Sequence, residues 1–136
     1  MSQENVEVVR LAYAAFNGRD LDALADSTHP DWVFDFSRSI GLEKGVYRGR
    51  EQVFRFAALS TEPFERFQLS PIEHVVGPGG EVVVRHQVSA KGRGSGVEWE
   101  RVPNATLVWE VRHGKVIKTT LYQHYGEALE AVGLSE

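Results

Sequence analysis

The chain has 136 residues, 42% of them hydrophobic and 25% charged, with a formal net charge of −4. That length and balance fit one globular domain with one core, spanning residues 1–136. The acidic balance argues against non-specific binding to nucleic acid or anionic lipid, both of which need a basic surface. The absence of cysteine excludes disulfides, thiolate nucleophiles and cysteine metal sites.

The opening MSQENVEVVR has neither a basic start nor a long apolar run. It does not read as a signal peptide, and no stretch is long enough to span a membrane, so the expected location is the cytoplasm. Val6, Val9, Tyr13 and Phe16 recur at helical spacing, with Ala12 on the same stripe, and predict a first amphipathic helix. In NGRD, Asn17 to Asp20, the helix stops and Asp20 caps a second one carrying Leu21, Leu24 and Ala25. HPDWVFDF is aromatic and β-branched and predicts a short strand. Arg50 to Leu59 returns to a helical pattern, with Val53, Phe54, Phe56 and Ala57 inward.

From Phe67 the pattern changes to strands: FQLSPIEHVV, EVVVRHQVSA, VEWERVPNATLVWEVRHG and KVIKTTLYQHYG, divided by the turn-rich GPGG, GRGSG and RHGK. Pro71 and Pro103 cannot donate to a ladder, so each predicts a bulge or an edge. A short helix around Glu127 to Val132 ends at Gly133. Helices followed by a run of antiparallel strands give an α+β domain. Val108 and Trp109 are both apolar yet point to opposite faces of one strand, so both faces of the sheet need cover. The helices supply one cover, and a second copy of the chain, forming a homodimer through the outer sheet face, is expected to supply the other.

Three stretches, VRLAYAAFNGRDLDAL, VYRGREQV and VWEVRHGKVIKTTLYQHYGEALEAVGL, together with GRGSGVE, resemble the SnoaL-like proteins of the nuclear-transport-factor-2-like superfamily over nearly the whole chain. The resemblance implies a cystatin-like curved, mainly antiparallel sheet, a cone or half-barrel wrapped around the N-terminal helices, with a mostly apolar pocket at its open end. It says little about function, because this fold hosts isomerases, cyclases, dehydratases, epoxide hydrolases and non-catalytic binders.

The resemblance also directs attention to particular residues. Asp35 lies on the strand where ketosteroid isomerase-like relatives carry a general base, and an apolar pocket would raise its pKa; the plain alternative is a solvent-facing carboxylate. Arg85 matches an arginine that epoxide hydrolase-like relatives place between two carboxylates, but Gln87 stands where the acid would be, and an amide cannot donate that proton. Spacing of two puts Arg85 and Gln87 on one face and His86 on the other, with Val84 and Val88. His124 replaces a relative's aspartate at the end of the last strand; either it or Gln123 faces the pocket, and the alternative is a rim or dimer-surface histidine. The relatives' oxyanion tyrosine aligns with Ala12, one residue from Tyr13, which reads as a core residue whose hydroxyl reaches the pocket. Asp35, His124 and Arg85 are the candidate catalytic groups, and Gln87, Tyr13, Gln123, Trp32 and Phe56 the candidate ligand contacts.

The five histidines show no metal-binding spacing, and no cofactor is expected. The expected partner is a small apolar molecule. The function is either cofactor-independent acid–base chemistry, as in an isomerase, cyclase, dehydratase or hydrolase, or plain binding. An inward polar cluster with shifted titrations marks the first. A cone filled by Phe16, Phe56 and Trp109 marks a dimeric interaction scaffold instead.

Overall fold

In a computed structural model, residues 2–134 are described. Helix α1 (Ser2–Asn17) and helix α2 (Leu21–Ser27) lead into strand β1 (Thr28–Phe36), strand β2 (Gly45–Arg48) and helix α3 (Arg50–Thr61). Five strands follow, β3 (Phe64–Val76), β4 (Val82–Gly92), β5 (Glu98–Arg101), β6 (Thr106–Arg112) and β7 (Lys115–Tyr122), and then helix α4 (Tyr125–Ala131). The fold is α+β, with one 7-stranded sheet in the order β2-β1-β7-β6-β4-β3 and β5 paired to β4. Every pairing is antiparallel except β1 with β7.

Local chemistry accounts for most of these boundaries. Asp20 Oδ1 accepts the Ala23 N–H at 3.0 Å and caps α2. His113 and Gly114 both take positive φ, 52° and 76°, which gives the tight turn joining β6 to β7, whose register shifts between Glu110 and Val111. The β3–β4 register shifts between Pro71 and Glu73, where the missing N–H of proline interrupts the ladder. Asn17 ties α1 to β3 by donating to the Leu69 carbonyl at 2.8 Å and accepting its N–H at 2.9 Å. The Arg50 guanidinium, at the start of α3, holds the Ala25 and Thr28 carbonyls at 3.1 and 3.0 Å, where α2 gives way to β1.

Two apolar clusters lie on opposite faces of the sheet. The larger packs Val9, Ala12, Tyr13 and Ala15 of α1, Leu24 of α2 and Val53 of α3 against Trp32, Val82, Val84, Leu107, Trp109 and Leu121. The smaller packs Ala128, Leu129 and Val132 against Val83 and Val108. So α1, α2 and α3 fill the inner face while α4 lies on the outer one. The outer apolar residues Val83 and Val108, expected to need a second copy of the chain, are covered by the chain's own last helix. Strand β2 was not read from the sequence; it is four residues long and alternately exposed.

Candidate functional site

Strand alternation decides which side chains can meet. On β4, Val82 and Val84 belong to the inner cluster and Val83 to the outer one, so His86 faces inward and Arg85 and Gln87 outward. On β6, Trp109 points in and Val108 out. On β1, Trp32, Phe34 and Phe36 share the inner face. The inner face therefore brings together Tyr13, Trp32, His86 and Trp109, all buried.

Tyr13 Oη and His86 Nδ1 lie 3.3 Å apart and share one hydrogen bond, whose donor depends on the imidazole tautomer. Burial without a charged partner pushes the His86 imidazole down to about 4, so it is neutral at pH 7. Burial likewise pushes the Tyr13 hydroxyl well above the ordinary phenol range, an effect the neighbouring Trp109 indole opposes only in part. The Trp109 N–H interacts with the Tyr13 hydroxyl but makes no well-aligned hydrogen bond among the described residues. The Trp32 N–H, by contrast, donates to Thr119 Oγ1 at 3.0 Å.

From this pair an unbroken series of ring contacts runs toward the surface. Tyr13 lies 5.2 Å from Trp109, Trp109 stacks on Trp32 at 6.4 Å, and Trp32 meets Phe34 at 6.1 Å. Phe34 then touches Phe36 at 5.4 Å and Phe56 at 5.8 Å, and Phe56 stacks on Tyr47 at 4.2 Å. Phe34, Phe36, Tyr47 and Phe56 are only half-buried, so the series opens to solvent at that end. Shallow, open surface hollows lie elsewhere, one beside Leu59, Glu62, Pro63 and Arg93 and one beside Arg66, Glu98, Trp99 and Glu100.

The polar residues singled out in the sequence fall mainly outside this interior. Asp35 points away from the aromatic face. Its Oδ1 accepts the Ser37 N–H at 3.0 Å and the Ser37 hydroxyl at 2.6 Å, and Arg38 stands 3.8 Å from its Oδ2. Burial alone would raise its pKa, but the two Ser37 bonds, with Arg38 and Lys118, hold the carboxyl below its ordinary value. The raised pKa expected for a pocket base is thus reversed, because the site is polar. Arg85 pairs with Glu73 Oε1 at 3.6 Å and lies over the Tyr125 ring of α4 at 5.3 Å, on the outer face with Gln87. His124 is exposed at the N-cap of α4, and its side chain does not cap the helix. Gln123 donates to the Arg38 carbonyl at 2.5 Å, joining the end of β7 to the turn after β1. Among the described residues no hydrogen bond or ion pair joins Asp35 to His124; the partners of Asp35 are Ser37 and Arg38. Tyr13, Trp32 and Phe56 do face the interior.

His86 and Trp109 were not chosen as site residues from the sequence. The available signal was a histidine sharing its strand face with Val84 and Val88, a polar group set into an otherwise apolar stripe. Among the described residues no three His, Asp or Glu side chains are placed to hold a metal ion, and no helix is long and apolar enough to cross a membrane.

Residues 9–119 match the SnoaL-like domain. Similar solved structures include Bal32a from a soil-derived mobile gene cassette, 22% identical over 89% of each chain, with a TM-score of 0.75. A SnoaL-like protein of Jannaschia sp. CCS1 is 20% identical, with 98% of this chain and 94% of that one covered and a TM-score of 0.73. TerC, co-crystallised with polyporic acid, is 21% identical, with 95% and 97% covered and a TM-score of 0.71. No curated protein matches the sequence at a significant level. With the match spanning most of the sequence and the curved sheet folded around α1, α2 and α3, this chain belongs to the SnoaL-like domain family and has the nuclear-transport-factor-2-like fold.

Proposed function

We propose that this protein binds a small, flat, largely apolar molecule on the inner face of its sheet, held among the aromatic rings with its polar end at Tyr13 and His86. One observation carries the reading: a buried tyrosine–histidine pair at the closed end of a ring series whose other end is half-exposed. Aromatic faces offer large apolar contact with little side-chain entropy to lose, which suits a flat ligand. The rings touch one another, so a ligand enters by exchanging ring–ring contacts for its own.

A second reading, cofactor-independent proton transfer such as isomerisation or cyclisation, is favoured by the pair itself. Tyr13 keeps its proton and can donate it in a hydrogen bond, and neutral His86 retains one unprotonated ring nitrogen. Against a strong base stands its low pKa, since a general base works best when its pKa lies near the working pH. Binding is therefore the first claim and chemistry the second. The expected homodimer is retained as part of this proposal, through the outer-face strands that α4 leaves uncovered.

A thermal-shift screen with flat bicyclic ketones, alcohols and hydrocarbons tests the binding claim. Stabilisation should appear in the wild type and weaken in Tyr13→Phe and His86→Gln. Equal stabilisation in all three proteins, or none in any, would refute it. Deuterium uptake at the α-carbon of a bound ketone in D2O tests the chemistry. Uptake no faster with protein than in buffer removes the second reading and leaves the first.

A further inference from the structure

Asn17 is followed by Gly18, the only asparagine–glycine step in the chain; the other two asparagines, Asn5 and Asn104, precede Val6 and Ala105. Such a step has a chemistry of its own. The glycine nitrogen attacks the asparagine side-chain carbonyl carbon and forms a C–N bond. The side-chain amide nitrogen leaves as ammonia, taking up the proton that the glycine nitrogen gives away. Water then opens the cyclic imide at either carbonyl. Opening at the side-chain carbonyl gives aspartate, and opening at the main-chain carbonyl gives isoaspartate. Glycine favours the reaction because no side chain crowds the attacking nitrogen and its backbone turns freely.

The closed fold opposes this reaction at both reacting groups. Asn17 is the last residue of α1, and the Gly18 N–H donates to the Ala14 carbonyl at 2.9 Å, which keeps its proton in place and the backbone in a helical turn. The next two N–H groups close the helix end, Arg19 onto Phe16 at 3.1 Å and Asp20 onto Ala15 at 2.9 Å. The Asn17 amide is held as well, donating to the Leu69 carbonyl at 2.8 Å and accepting the Leu69 N–H at 2.9 Å. Leu69 lies on β3, the last strand in the sheet order, so this one side chain stands in for a missing neighbouring strand.

The modified residue could not take up that place again. Aspartate has no N–H for the Leu69 carbonyl and sets a negative oxygen against it, and isoaspartate adds a backbone atom to the helix end. Tyr13 stands one turn earlier on the same helix face, and Phe16 packs on Phe67 of β3 at 6.3 Å, so both feel the loss. We infer that Asn17 is a modification site gated by local opening: a spontaneous, water-consuming deamidation that the closed fold suppresses and that, once made, permanently releases α1 from β3. The inference stands apart from the ligand site proposed above.

Peptide mapping of the full chain, aged at mildly alkaline pH over a series of urea concentrations, tests it. Fully unfolded, Asn17 should convert faster than Asn5 or Asn104. Folded, it should convert about tenfold or more slowly than unfolded, since several hydrogen bonds must open first, whereas the exposed Asn104 should change far less. Urea below the unfolding midpoint should already speed Asn17, because a helix end opens before the whole chain does. Gly18 does not take positive φ, so Gly18→Ala keeps the turn. In the unfolded chain it should bring Asn17 down to the rate of Asn104, which also precedes an alanine. Asn17→Asp, the modified state made directly, should lower Tm and speed hydrogen exchange at the Leu69 N–H.

Four results would overturn the inference. Equal Asn17 rates in folded and unfolded protein would mean that the fold gives no protection. A rate that climbs only with global unfolding would remove the local gate. An unfolded Asn17 no faster than Asn104 would remove the reactive step. Unchanged Tm and Leu69 exchange in Asn17→Asp would show that β3 does not depend on the amide.

Discussion

Buried beside a phenol and with no carboxylate to pair with, His86 stays neutral in the fold but is free to charge in the unfolded chain. Its folded pKa of about 4 lies below the unfolded value of 6.5. The unfolded state therefore binds the proton first as pH falls, and unfolding becomes easier. The stabilisation from a neutral His86 is complete above about pH 6.5, declines between there and about pH 4, and is constant below; its full size is on the order of 3 kcal/mol. Carboxylates titrate near the lower end of that window, so the test is a difference. Urea midpoints of the wild type and His86→Gln, taken from pH 7.5 to 4, should converge as pH falls, with the wild type showing the steeper decline. Parallel curves would mean that His86 charges freely in the fold. Tyr13→Phe removes the side-chain hydrogen bond that His86 makes among the described residues and should cost about 1–3 kcal/mol at pH 7.5, read from the same midpoints.

Helix α4 is short, seven residues, and too small to be stable alone. It is held by burying Ala128, Leu129 and Val132 on Val83 and Val108, and it ends where Gly133 takes a φ of 85° and the Leu134 N–H reaches the Leu129 carbonyl at 2.8 Å. Leu129→Ala should therefore cost about 2–5 kcal/mol in urea unfolding, and hydrogen exchange should speed first in α4. Removing the α2 cap by Asp20→Ala should cost only about 1 kcal/mol, because Asp20 is exposed and one N–H is at stake. Elements whose cause is local were legible in the sequence: the α1 stripe, the Asp20 cap, the RHGK turn and the break at Pro71. Strand β2 was missed because four alternately exposed residues carry too little pattern. The parallel pairing of β1 with β7 joins residues almost ninety apart, such as Phe34 and Thr119, and no local signal announces it. The same holds for the side on which α4 lies: its apolar face is plain in the sequence, but either face of the sheet could have received it.

At the scale of the whole molecule, the sheet is a partition, and which residues can act together depends on the side they face. Strand parity separated Arg85 and Gln87 from His86 correctly, yet parity cannot tell which side is the interior. The polar stripe drew attention because catalysis needs polar groups, whereas the interior side of β4 carries valines and one histidine. Tyr13, Trp32 and Phe56 were found because they sit in apolar patterns that must be buried. Asp35, Arg85, Gln87 and His124 were chosen by position relative to other family members, and the structure surrounds them with Ser37, Arg38, Glu73 and Tyr125 or with solvent. The partition makes a sharp prediction for ligand binding. Arg85→Ala, Gln87→Ala and His124→Ala, all across the sheet from the rings or exposed, should leave the affinity for a stabilising bicyclic ketone within about twofold of wild type, since surface ion pairs and exposed polar groups couple weakly to a distant site. His86→Gln and Tyr13→Phe, on the inner face, should weaken it about tenfold, equivalent to one hydrogen bond of about 1.4 kcal/mol. Isothermal titration of the five variants at one pH checks this directly. The reverse order, with Arg85→Ala the most damaging and His86→Gln neutral, would place the ligand on the outer face beside α4, and a uniform small loss in all five would mean that the variants act through stability and not through contact.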